Sequence, residues 1–193
     1  MSTEQQLSHF SLISRLFGNL FYRAPMDPLL SNVFAWLQQK GLSQVWALDT
    51  DAQSEQALDA LQMKIDLTLL EQEYSRLFGK ANPLIKTAIT DYGIVASDFI
   101  AFRKERGMPP FSEDEQSAVH FALVFLTASW IEDNLASVQA QRELFEHFLL
   151  PCANVFLAQV ERQANLPFYR SLAILSREIL AAMADELEEA EEE

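Results

Sequence analysis

LFEHFLLPCANVFLAQVERQANLPFYRSLAILSREILAAM, residues 144–183, decides the fold. Apolar segments alternate with prolines. Phe148-Leu149-Leu150 leads into Pro151, and Val155-Phe156-Leu157 with Val160 leads into Asn165-Leu166-Pro167. Phe168, Tyr169, Leu172, Ile174, Leu175, Ile179 and Leu180 follow. Their spacing is that of helices with one buried face. Proline suits the first turn of a helix and not its interior, so the pattern predicts three helices with a break before each proline. The stretch carries packing residues and no catalytic constellation.

The same period runs outward to the N-terminus. Phe10, Ile13, Phe17 and Leu20 predict a helix over 8–23, with Leu12, Leu16 and Phe21 widening its stripe. Asp27-Pro28 reads as an N-cap followed by a first-turn proline. Leu29, Leu30, Val33, Phe34 and Leu37 form the face of that helix, and Gly41 stands at its C-terminal end. A connector over 42–51 holds Trp46, and a short helix covers 53–63. Thr68 and Glu71 have capping-box spacing. The helix they open places Leu67, Leu70, Tyr74, Leu77 and Phe78 near one face and ends at Gly79.

Residues 80–112 read as a hinge or long loop with a short helix over 97–106. Ser112 and Glu115 make a second capping box for a helix over 113–134, apolar on nearly every side from Val119 to Ile131. No segment alternates as a strand does. The prediction is a single all-α domain, a bundle of about eight to ten helices over 1–184. An acidic, frayed tail is expected over 185–193.

Composition narrows the function. The net charge is −14, with 14 Lys and Arg against 28 Asp and Glu. A nucleic-acid partner, which needs a basic footprint, is therefore not expected. No apolar run reaches the roughly 20 residues of a membrane span, so no membrane insertion is expected. The polar N-terminus shows no signal-peptide pattern. With the lone Cys152, these features point to the cytoplasm.

The five glycines are too scattered for a phosphate-binding loop. His9, His120 and His147 have no second histidine or cysteine at ligand spacing, so neither metal nor cofactor is expected. Cys152 reads as a small core residue, and Trp46 and Trp130 as core. His120 stands where its helix turns apolar. It reads either as a locally satisfied histidine or as a residue at a groove rim.

Leu149-Leu150-Pro151, then Pro167-Phe168-Tyr169 with Leu172-Ala173 and Leu175, resembles the C-terminal signature of the TorD/DmsD family. Arg15-Leu16-Phe17-Gly18-Asn19-Leu20-Phe21-Tyr22 is similar to its first helix, and Glu73-Tyr74-Ser75-Arg76-Leu77-Phe78-Gly79 to its Leu-Phe element. Ala128-Ser129-Trp130-Ile131-Glu132-Asp133 resembles the end of its central helix. Asp27-Pro28-Leu29-Leu30, Glu105-Arg106-Gly107-Met108-Pro109 and the Asp185-Glu186-Leu187 tail look closest to the YcdY-like branch.

The family's Pro-x-Asp-His pattern keeps only its histidine, His120, after Ser117-Ala118-Val119. The loop after Gly79 departs from the family's, Cys152 stands where tryptophan is usual, and His147 lies one place ahead of the family's histidine.

The resemblance implies a non-enzymatic, cytoplasmic maturation chaperone for a client metalloenzyme. In the best-understood members the bound segment is the twin-arginine leader of a molybdoenzyme precursor, held until cofactor insertion or folding. By position, the client-peptide residues would be Arg15, Tyr22, Tyr74, Leu77, Phe78 and His120. An apolar groove would take the leader's hydrophobic region and acids its arginines. A second reading is a helical scaffold or adaptor for a cytoplasmic metallohydrolase, without leader binding. A monomer and a domain-swapped dimer both fit the hinge.

Overall fold

A computed structural model describes the backbone of residues 3–111 and 119–192, and the side chains of 9–111 and 119–190. The predicted capping box at Ser112 lies outside the described residues. Among the described residues every named element is helical. Their order is α1 (Thr3–Tyr22), a 3-10 turn (Pro28–Leu30), α2 (Ser31–Gln38), α3 (Gly41–Val45), α4 (Ala52–Gln62) and α5 (Leu67–Phe78). A second 3-10 turn (Ile89–Tyr92), α6 (Ala96–Glu105), α7 (Phe121–Asn134), α8 (Val138–Leu144), a π-helical turn (Phe145–Leu149), α9 (Leu150–Gln163) and α10 (Pro167–Glu192) complete it.

The core is built on α7. Phe121, Ala122, Val124, Phe125, Ala128 and Ile131 have no exposed surface, and Thr127 and Ser129 are buried beside them. This is the central buried helix that its sequence predicts. The first helix packs along it through Phe10, Ile13, Phe17, Leu20 and Phe21. On the other side α10 lies against α4 and α9. A buried aromatic cluster joins the layers. Phe121 stacks on Phe156 at 4.3 Å, and Phe21 meets Phe156 edge-on at 5.5 Å.

Several local expectations are corrected. Pro151 does not break its helix: α8, the π turn and α9 run continuously. The Leu150 amide bonds to the Phe145 carbonyl five residues back. The widened turn accommodates a residue with no N–H to give. The cap of α5 is Asp66, which accepts from the amides of Thr68 (2.8 Å) and Leu69 (3.3 Å). Glu71 therefore turns outward to accept from the Met26 amide at 2.9 Å.

Lys40, not Gly41, takes the left-handed conformation after α2, at φ 61°. Gly41 is needed for contact: a Cβ there would lie 2.2 Å from Trp36 Cε2. Residues 42–45 are helical, not connector. The described part of α7 begins at Phe121, with Val119 and His120 outside it. The acidic stretch expected to fray is helical to Glu192. Leu187 is buried, and its carbonyl accepts from Arg142 at 2.9 Å.

The connector between α5 and α7 is anchored along its described length. Ile85, Ile89 and Phe99 have no exposed surface. The Ile85 amide bonds to Leu77 O at 2.9 Å, and Ile89 to Val119 O at 2.8 Å.

Candidate functional site

Six residues carried the expectation of a binding site, and the structure gathers four of them at one corner. The end of α1, the middle of α5 and the start of α7 meet there. Tyr74 donates its hydroxyl to the carbonyls of Tyr22 (2.9 Å) and Phe21 (3.2 Å), tying α5 to the last turn of α1. Burial pushes that phenol up to about 12, so it stays protonated as a donor. Its ring packs on Phe78 at 5.4 Å and Tyr169 at 6.0 Å.

His120 is the N-cap of α7. Its Nδ1 accepts from the Ala122 amide at 3.0 Å, and its backbone forms an isolated antiparallel bridge with Ala88. Burial holds its pKa down to about 4, so the ring is neutral near pH 7. That matches a nitrogen acting as a cap acceptor. Tyr22, 41% exposed, meets the imidazole edge-on at 5.3 Å, and this pair is the outer face of the corner. Phe78 is nearly buried below it, and Leu77 fully, as parts of the core.

Arg15 stands apart, about two turns before Tyr22 on α1. It pairs with Asp133 on α7. Asp133 also accepts from Ser11 Oγ at 2.6 Å, and Ser11 lies 3.0 Å from Ser129 Oγ. This polar seam joins α1 to the end of α7.

Sequence reasoning missed a second surface. A groove of ≈ 430 Å³ lies between Leu12, Leu16 and Asn19 of α1 and Leu29, Val33 and Trp36. Leu29, which the apolar period places on the face of its helix with Leu30 and Phe34, is 68% exposed. The 3-10 turn before α2 changes the angular phase, so the α-helical period cannot place that residue. The asparagines and arginines interrupting the apolar face were the available signal.

Cys152 is buried, its thiol pushed up to about 12 by that burial, so it is an unreactive core residue. Trp46 and Trp130 are only partly buried against the core. Among the described residues no group of three or more His, Cys, Asp or Glu is placed to hold a metal ion. Nor is any helix among them long and apolar enough to cross a membrane.

Fold and surface define an all-helical protein that presents an aromatic corner and an open apolar groove. No family model matches the chain. It is 36% identical over 192 residues to the chaperone protein YcdY of Escherichia coli, covering 97% of this chain and 100% of that one. It is 63% identical to an uncharacterized protein of Haemophilus influenzae, over 97% of this chain and 99% of the relative. The probable Tat proofreading chaperone DmsD of Haemophilus influenzae is 24% identical over 90% of this chain and 89% of its own length. The chain belongs to the TorD/DmsD family of chaperones, in its YcdY-like branch.

Proposed function

We propose that the protein is a cytoplasmic, non-enzymatic maturation chaperone. It binds a client metalloenzyme through the twin-arginine leader of a molybdoenzyme precursor and holds it for cofactor insertion or folding. The Tyr22–His120 corner is the observation that supports this reading most directly. Three elements distant in sequence converge there on an exposed aromatic ring and a neutral imidazole. Tyr74 ties the Tyr22 carbonyl to α5, and Phe78 packs against the Tyr74 ring. Met26, 59% exposed, continues the apolar surface, and the Glu71 carboxylate that holds its amide supplies negative charge beside it. An apolar leader segment would lie over Tyr22 and Met26, with its arginines drawn to Glu71 and the acidic surface. No bond is made or broken.

The test is fluorescence anisotropy with a labelled synthetic peptide carrying an arginine pair ahead of an apolar run. Saturable binding is expected, weaker in high salt and weaker when the pair is replaced by alanines. Tyr22→Ala with His120→Asn should reduce affinity at least tenfold, because the pair is the contact surface. Asparagine keeps an N-cap acceptor, so the helical circular dichroism should be retained. Unchanged affinity in that variant would remove the corner from the site. A protein that ignores the leader peptide but captures a folded metallohydrolase would be an adaptor instead.

A further inference from the structure

The groove beside α1 is chemically unlike the corner. Its floor is apolar, and Leu12 and Leu29 on it are 41% and 68% exposed. Among the described residues the charged side chains lining it are both cations, Arg15 and Arg23. They stand eight residues apart, Arg15 within α1 and Arg23 just past its last residue, where its amide still bonds to Asn19 O at 2.9 Å, so about 12 Å separates them along the axis. Their carboxylate partners, Asp133 and Asp27, are not part of the lining.

Each of those carboxylates is held elsewhere as well. Asp133 accepts from Ser11 at 2.6 Å, and Asp27 from the Leu29 amide at 2.9 Å. They hold the guanidinium groups of Arg15 and Arg23 in ion pairs. Arg15 makes its bonds to Asp133 and Ser11 through Nη2 alone. Arg23 uses Nε toward Asn19 Oδ1 (3.1 Å) and Nη1 toward Asp27 (3.3 Å). A guanidinium has five donors in a planar fork, so one edge can hold a carboxylate while another meets a second acceptor.

We infer that this groove is a second docking surface, which takes an acidic amphipathic helix of a partner protein. Charge complementarity selects the occupant. Two guanidiniums that line an apolar trough, each with donors left over from its ion pair, match a helix with carboxylates seven or eight residues apart. Between them such a helix carries apolar anchors at i, i+3, i+4 and i+7. Trp36 and Leu29 would receive the anchors, and Arg15 and Arg23 the acids. The groove adjoins the corner, with the Arg23 guanidinium 5.7 Å from the centre of the Tyr22 ring, but its occupant has the opposite charge to a twin-arginine leader, so each ligand selects its own surface.

Two labelled 18-residue helical peptides test the proposal on the full chain. Both carry leucines at the four anchor positions. One has glutamates eight residues apart, and the other has lysines there. The glutamate peptide should bind at least tenfold more tightly in low salt, and the preference should shrink as salt rises. Arg15→Gln with Arg23→Gln should abolish the preference. Leu29→Asp, at a site already exposed, should weaken the glutamate peptide at least fivefold while leaving the melting temperature unchanged.

Equal binding of the two peptides would overturn the inference, as would binding that Leu29→Asp leaves intact. An unlabelled arginine-pair leader peptide should not displace the glutamate peptide. Displacement would make the groove part of the leader surface and would also overturn it. Leader binding lost at the corner while glutamate-peptide binding persists would sink the proposed function alone.

Discussion

Glu73 shows how much one side chain can decide. It is buried in the middle of α5, on a face where the apolar period leaves no place for a charge. Its Oε1 accepts from the amides of Asn165 (2.6 Å) and Leu166 (3.2 Å), just ahead of α10, and Arg76 closes the other side at 2.9–3.0 Å. The carboxylate therefore satisfies two partly buried amides of the turn before α10. Glu73→Ala should cost about 1–3 kcal/mol, the range for leaving donors of this kind without their acceptor. Glu73→Gln, which keeps an acceptor oxygen, should cost less than half as much. Urea midpoints at unchanged m measure both. The sequence placed Glu73 inside a family motif but gave no hint of this bond, because its partners lie some ninety residues away.

At the scale of elements, the contact of α1 with α7 depends on Gly18. A Cβ at that position would stand 2.6 Å from Leu126 Cδ2 and 3.3 Å from the Ala122 carbonyl. Gly18→Ala should therefore destabilise by about 1–3 kcal/mol, as overpacking does. At this chain length that lowers the melting temperature by roughly 3–10 °C in calorimetry. A neutral or stabilising result would mean that Leu126 moves aside freely and the helices are not in close contact there.

Elements were legible in the sequence where one apolar period runs unbroken, as in α1, α5 and α7. Reading failed where local chemistry shifts the phase. Asp66 outcompetes Thr68 as a cap because its carboxylate reaches two amides at once. The turn at Pro28–Leu30 rotates Leu29 out of the face the period assigned to it. The corner was partly legible through Tyr22, Tyr74, Phe78 and His120. The groove was not, since it forms between two segments whose separate patterns both read as core.

For the molecule as a whole, acid stability should carry the mark of His120. Its native pKa lies at about 4, against 6.5 for a free imidazole. Between these values the unfolded chain binds a proton that the native state refuses, so stability falls as pH drops through that window. Glu132 and Glu186 work in the opposite direction. Burial raises both, so the native state takes up their protons first. The wild type should thus lose stability from pH 6.5 to pH 4.5 relative to His120→Asn, and the gap between their urea midpoints should narrow as pH falls. Parallel curves would mean that the imidazole titrates normally. A narrowing gap would make the corner that supports the binding proposal also a place where acid loosens the fold.

The π-helical turn at Phe145–Leu149 also changes what numbering means in this helix. One extra residue in a turn rotates every later side chain by about 100° around the axis. From Leu150 onward, position along the chain and angle around the helix are out of step by one. His147 stands one place ahead of the family's histidine position, and that offset falls inside this same turn. A one-place offset there is first a question of angle, and a wide turn is the part of a helix that can absorb it while both faces stay packed.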